Sequence, residues 1–202
     1  MPADLDPDAA LMLLVKQGDT TAFTTLVEKY KQPVMNLAWR TVGDQTEAED
    51  LAQNVFVQAW KSAARYQPTA KFSTWLFTIA RNLCLNEIRR RVRHPADSLD
   101  QTRDDTEEQP LYQVVDKRVT QAPDDLLRGE LEQKVDEAVT ALPENQRTAL
   151  LLCRQEELSY EEIAVVLGCS LSATKSLIHR ARETLKARLK PYLHSGVWEG
   201  KK

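Results

Sequence analysis

Cysteine is scarce in this chain, and its scarcity excludes several protein classes at once. There are 3 cysteines in 202 residues: Cys84, Cys153 and Cys169. They are odd in number and scattered. They form no C-x-x-C, and no histidine stands at zinc-site spacing from any of them. Neither a disulfide framework nor a cysteine-based metal site is expected, and buried thiols in a reducing compartment are favoured over a ligand role. His94, His179 and His194 are isolated from one another. The sequence has no G-x-x-x-x-G-K-[ST], no G-x-S-x-G and no H-E-x-x-H. It offers no nucleophile with a base partner, so no catalysis, cofactor or metal is expected. Glycine (6 residues) and aromatics (6%) are too few for a turn-rich sheet protein, which leaves an all-α fold. No apolar run approaches the ~18 residues of a membrane span. The start, Met-Pro-Ala-Asp-Leu-Asp-Pro-Asp, lacks the basic and apolar segments of a signal peptide. A soluble cytoplasmic protein is the expectation.

Charge is plentiful and arranged in blocks. The formal net charge is -3, but this average conceals alternation. Residues 1–60 and 96–169 are acidic, whereas 61–95 and 170–202 are basic. Phosphate binding depends on local basic density rather than on the total. Two basic blocks about a hundred residues apart are therefore compatible with two separate contacts to nucleic acid, or with two solvated helix faces.

Helical periodicity organises both ends of the chain. Asp6-Pro7 opens a first helix that stops at Gly18, and Asp19 caps a second through Phe23, Leu26, Val27, Tyr30, Val34, Leu37 and Ala38. Pro33 inside it predicts a kink or break. Thr46-Glu-Ala-Glu49 reads as a capping box. It precedes the stripe Ala48, Leu51, Ala52, Val55, Phe56, Ala59, Trp60 and Ala63. After the loop Tyr66–Lys71, Ser73 or Thr74 is expected to cap a fourth helix buried along Leu76, Ile79, Ala80, Leu83 and Ile88. Pro95 closes this domain. Residues 96–122 are rich in Asp, Glu, Gln and Thr without a sustained period, so a flexible acidic linker is expected, with a short helix around Leu111–Val119 as an option. Order resumes near Pro123, and Pro143 opens a further helix. Ser159-Tyr-Glu-Glu162 is a capping box for a short helix ending at Gly168. Ser170 then caps a long last helix ending near Lys190-Pro191. A short helix, a tight glycine turn and a helix opening with small polar residues form a helix-turn-helix pattern. The expected architecture is two small helical domains, 1–95 and 123–191, joined by the linker 96–122 and followed by a tail, 192–202.

Three constellations carry chemistry. On the last helix Ser172, Lys175, Ser176, His179 and Glu183 lie opposite the stripe Thr174, Ile178, Ala181, Leu185 and Leu189, with Arg180 and Arg182 flanking. Small polar residues at a helix N-terminus let it approach base edges, while Lys and Arg further along reach phosphates. On the fourth helix Arg81 and Asn82 sit beside the core stripe, and Arg89, Arg90, Arg91 and Arg93 crowd its C-terminal end, where cations also suit the helix dipole. With Tyr66, Lys71, Phe72 and Trp75 nearby, the set has the positive charge and aromatic surfaces that hold single-stranded DNA. Phe72 and Trp75 serve equally well as core. On the third helix Asp50, Gln53 and Asn54 form a polar strip, either a solvated face or a protein interface.

These segments resemble the extracytoplasmic-function group of bacterial sigma factors. Glu47-Ala-Glu-Asp-Leu-Ala-Gln-Asn-Val-Phe-Val-Gln-Ala-Trp60 is similar to the family's core helix, and Phe72-Ser-Thr-Trp-Leu-Phe-Thr-Ile-Ala-Arg-Asn-Leu83 to its promoter-melting helix. Leu142-Pro-Glu-Asn-Gln-Arg147, Leu158-Ser-Tyr-Glu-Glu-Ile-Ala164, Leu167-Gly-Cys-Ser170, Lys175-Ser176 and His179-Arg-Ala-Arg182 resemble its C-terminal domain. The resemblance implies a factor that binds core RNA polymerase at the beta-prime clamp helices and the beta flap, directs it to promoters and helps open the duplex. It implies polymerase contacts at Asp50, Gln53 and Asn54. It implies minus-ten contacts around Tyr66, Lys71, Phe72, Ser73, Trp75, Arg81, Asn82, Arg89 and Arg90. It implies minus-thirty-five contacts at Ser170, Ser172, Ala173, Lys175, Ser176, His179, Arg180 and Arg182. An anti-sigma factor is a further implied partner. The acidic linker stands where larger sigma factors carry an intermediate domain, and in the family it threads near the active centre and the RNA exit channel.

The sequence departs from the family pattern at Leu177, Ala173, Asn54 and Asn86, where Arg, Thr, Glu and Asp are usual. Leu177 borders the buried side of its helix. Two other functions remain compatible with the segments. One is a sigma-like decoy that sequesters an anti-sigma factor. The other is a stand-alone helix-turn-helix regulator, which leaves the first domain unexplained.

Overall fold

A computed structural model describes residues 6–93, 122–155 and 158–195, with the backbone alone described at 122–128 and 194–195. The expected linker up to residue 121, its optional helix and the tail from 196 lie outside the described residues. Every regular element among the described residues is helical. The first group comprises α1 (Pro7–Lys16), α2 (Thr20–Val42), α3 (Gln45–Ser62), a single 3-10 turn at Ala63–Arg65 and α4 (Phe72–Arg93). The second comprises α5 (Ala122–Thr140), α6 (Glu144–Cys153), α7 (Tyr160–Leu167) and α8 (Leu171–Ser195).

Caps and turns set most of the boundaries. The Asp19 carboxylate accepts from the Thr21 and Ala22 amides at 2.8 and 3.0 Å and starts α2. Gly43, at φ +75°, ends it in the left-handed conformation that a side chain would strain. The next residue, Asp44, accepts from Glu47 N–H at 2.8 Å and caps α3. The Thr46–Glu49 box expected from sequence is therefore not the start of α3; the αL glycine brings the start two residues forward. The Ser159–Glu162 box does form, with both hydrogen bonds present, and Ser170 Oγ accepts from Ala173 N–H at the start of α8.

Three other expectations are corrected. Pro33 does not break α2, which stays helical from Thr20 to Val42. Leu26, Tyr30, Val34 and Leu37 are buried on both sides of it, and packing both halves of one helix against the core offsets the roughly 3 kcal/mol that an interior proline costs. Likewise α8 continues through Pro191 to Ser195. Trp60, expected in the buried stripe of α3, is 42% exposed and meets Phe23 edge-on at 4.9 Å.

The first core gathers Met12, Leu26, Val34, Val55, Phe72, Leu76 and Phe77, all at or below 2% exposure. Each such side chain contributes about 1.5–3 kcal/mol by burial. Leu152, Ile163, Val166, Ile178 and Ala181 play the same part in the second group. The two groups touch. α7 lies against α4, and α5 and α6 lie against α2. Arg40 on α2 pairs with Asp136 on α5 at 2.7 Å, Arg147 Nη1 donates to the Arg40 carbonyl at 3.0 Å, and Lys71 pairs with Glu162 at 3.1 Å.

Candidate nucleic-acid interface

The loop at Tyr66–Lys71 is shaped from underneath. Tyr66 is buried, and its ring meets Trp75 at 5.0 Å and Phe72 at 6.4 Å. Phe72 is buried too, against Trp75 at 5.7 Å and Tyr30 at 5.4 Å. Burial, and then the Asp6 and Asp8 carboxylates, push the Tyr66 phenol up to about 12. Ser73 and Thr74, expected as helix caps, are buried inside α4 instead. The amide at the start of α4 is held by a distant residue: Phe72 N–H donates to Asp6 Oδ2 at 2.8 Å.

On the outside of α4, residues spaced by three and four share a face. Lys71, Trp75, Thr78, Asn82 and Arg89 fall on one such strip. Lys71, Asn82 and Arg89 are exposed, and Trp75 is half-buried. Arg81 is turned inward, its Nε buried without a hydrogen-bond partner among the described residues. Arg90 is exposed but engaged, donating to both oxygens of Glu87 at 2.9 Å. Arg91 pairs with Glu47 and donates to the Val42 carbonyl at 2.9 Å. Four arginines in the last turns thus split between strapping α4 to α2 and α3 and facing outward.

Asp50, Gln53 and Asn54 are brought together on the exposed face of α3, with Gln58 and Lys61 further along. On α8, Ser170, Ser172, Lys175, Ser176, His179, Arg180 and Arg182 are exposed and Ala173 is half-buried. Thr174, Ile178 and Ala181 are buried on the opposite side. Leu177 packs against the core, so the departure from Arg there places no apolar side chain on the outer face. Gly168, at φ +65°, makes the turn that sets α8 against α7. Arg182 Nη2 lies 3.4 Å from Cys153 Sγ, and Cys169 Sγ lies 3.2 Å from Thr174 Oγ1. Cys153 and Cys169 are therefore half-buried with polar neighbours, whereas Cys84 alone is buried.

Glu162 has two duties. Its carboxylate closes the capping box and meets Lys71. Burial alone would raise its pKa, but the Ser159 amide, the Lys71 ammonium and the Ser159 hydroxyl outweigh burial and lower it. Asp136 goes the other way: burial raises it despite the Arg40 guanidinium. Sequence reasoning missed Asp6 and Lys16 as parts of this site. Lys16 Nζ donates to the Tyr66 carbonyl at 3.0 Å, and such a contact across fifty residues leaves no trace in local periodicity.

Two family models match, one within each helical group. Sigma-70 region 2 covers residues 26–94 and Sigma-70, region 4 covers 132–185. The chain is 38% identical to the RNA polymerase sigma-H factor of Pseudomonas aeruginosa, over 93% of this chain and 96% of that protein. It is 34% identical to the ECF RNA polymerase sigma factor SigW of Bacillus subtilis, over 87% and 93%. This chain belongs to the extracytoplasmic-function sigma factors. Among solved structures, the sigma factor resembles CnrH in complex with the cytosolic domain of CnrY, with TM-score 0.64, 26% identity, and 92% and 99% of the two chains covered. It also resembles the sigma factor RpoE in complex with the anti-sigma factor NepR from Bartonella quintana, with TM-score 0.63, 27% identity, and 83% and 96% covered. The sigma factor is thus all-α, with a region 2 bundle and a region 4 bundle, and it directs RNA polymerase to promoters. None of its described helices is long and apolar enough to cross a membrane.

Proposed function

We propose that the sigma factor divides its work among three surfaces. The α3 strip Asp50, Gln53 and Asn54 docks on the beta-prime clamp helices of core polymerase. The loop 66–71 and the α4 strip Lys71, Trp75, Asn82 and Arg89 capture the unpaired strand of the minus-ten element. The outer face of α8 lies in the major groove of the minus-thirty-five element, with Ser172, Ala173 and Ser176 near base edges and Lys175, His179, Arg180 and Arg182 at phosphates, while its bundle meets the beta flap. The observation that carries this reading is the face of α4. Exposed cations and an amide flank a half-buried tryptophan there, and single strands are held by that combination.

The factor has no chemistry of its own in this account. Unstacking a base costs a few kcal/mol, and contacts to the strip together with polymerase docking offset that cost. The outward cations of α8 favour this reading over a decoy, since sequestering a protein would not need them. An anti-sigma factor that covers these surfaces in the cytoplasm fits the company kept by the solved relatives. The test is run-off transcription with purified core polymerase on a promoter library. Defined starts are expected with the wild-type chain, and none with Asp50→Ala combined with Gln53→Ala. Undiminished starts with that double variant would overturn the polymerase surface, and no defined start with wild type would overturn the whole reading.

A further inference from the structure

Asp6 is the N-cap residue of α1, yet its carboxylate makes no hydrogen bond to its own helix. It reaches across and accepts from Phe72 N–H, the first amide of α4, at 2.8 Å. Ten residues on, at the other end of α1, Lys16 Nζ donates to the carbonyl of Tyr66 at 3.0 Å. The loop 66–71 is therefore held at both of its ends by one short helix. A carboxylate sits at its exit and an ammonium at its entrance. α1 is itself pinned between them: Asp8 is buried and accepts from Lys29 Nζ and from Tyr30 Oη, each at 2.6 Å. The Tyr30 ring lies against Phe72, so the anchor of α1 and the floor of the loop are one packed unit.

We infer that Asp6 and Lys16 are positioning residues for strand capture, fixing the loop 66–71 in its reading shape before DNA arrives. The inference rests on the reading of that loop as the minus-ten surface. A loop whose ends are fixed loses less conformational freedom on binding than a loose one. Neither residue touches DNA in this account, because each spends its charge on a backbone group of the loop. Lys71, by contrast, is held by Glu162 from the other bundle. That tie depends on the two bundles staying together, whereas the two ties from α1 persist if they separate.

The test uses the full chain assembled with core polymerase. The probe is fork-junction DNA carrying the unpaired minus-ten strand of a promoter found by the run-off screen. Lys16→Met is expected to bind this probe about ten-fold more weakly, the size that follows from losing one charge-assisted hydrogen bond. Lys16→Arg restores binding, and duplex DNA ending upstream of the minus-ten element binds all of these variants equally. Asp6→Ala repeats the loss and Asp6→Asn, which keeps an acceptor, is milder. Wild-type fork binding by both Lys16→Met and Asp6→Ala, with Asn82→Ala impaired in the same assay, overturns the positioning role and leaves the strand-reading role intact. Equal fork binding by Asn82→Ala and Lys71→Ala overturns the underlying reading instead. A parallel fall in fork and upstream-duplex binding marks general loss of structure and also overturns the inference.

Discussion

Tyr66 keeps its hydroxyl buried without a hydrogen-bond partner among the described residues, beside two carboxylates. Its phenol is raised from 10.0 to about 12. Between those values the unfolded chain gives up its proton while the folded chain keeps it. Stability is therefore fully present below the lower value and falls as pH rises toward the upper one. Thermal melts across this window should lose midpoint faster for wild type than for Tyr66→Phe, and parallel curves would contradict the buried phenol. Cys84 makes a second case. Burial pushes its thiol up to about 12, and thiolate is the reactive form. Mild alkylation of the native chain should label Cys153 and Cys169 and spare Cys84, as peptide mapping would record; rapid labelling of Cys84 would refute its placement. The scattered spacing of the cysteines pointed to buried thiols in place of a disulfide framework or a metal site. It could not separate one buried thiol from two half-buried ones with hydroxyl and guanidinium neighbours, because that depends on which helix packs over each.

Elements follow from local chemistry wherever a cap or a left-handed glycine decides the matter. Ser159, Gly168 and Ser170 are such positions, and the helix-turn-helix was legible in full from them. Gly168 has open space around the position of a side chain, so Gly168→Ala pays only for the left-handed backbone. About 1 kcal/mol is expected in chemical denaturation, with the midpoint shifted and the slope unchanged. No shift would mean that the turn is not fixed as described. Where tertiary packing competes with local signals, sequence reading failed. Pro33 predicted a kink or a break, and the break does not occur: core residues on both sides of it keep α2 helical from Thr20 to Val42. Ser73 and Thr74 look like caps, but Asp6 takes that role from far away in sequence and lets α4 begin at Phe72. The outward faces of α3 and α8 were read correctly because amphipathic spacing alone sorts a helix surface.

At the scale of the molecule, the two bundles were expected on a tether, and they are found in contact. Arg40 with Asp136 is the more enclosed of the two ion pairs described between them, with side chains 19% and 29% exposed. Removing one charge from such a pair leaves the other stranded in a partly dry contact. Asp136→Asn should therefore loosen the bundles. Small-angle scattering from the free chain would record a larger radius of gyration, and a superimposable curve would contradict the contact. The α3 and α8 surfaces stay exposed in this arrangement, whereas Lys71 of the loop proposed to read the strand is tied to Glu162 of the other bundle. Glu162 is held ionised by its partners, and its pKa is lowered. The tie is thus complete above the usual carboxylate range and is lost as pH falls through the lowered value. The proposed capture of the strand by Lys71 would require that this ion pair be released once polymerase and promoter engage.

The measurement closest to the centre of the account is a paired DNase I and permanganate footprint of polymerase loaded with this chain on one promoter from the run-off screen, the first reading duplex protection and the second unpaired thymines. The account predicts protected duplex upstream and reactive, unpaired thymines downstream with wild type. With Asn82→Ala it predicts that the upstream protection survives and the downstream reactivity is lost. Thymines opened equally well by Asn82→Ala, or protection upstream that vanishes together with the downstream opening, would contradict the division of promoter reading between α8 and α4.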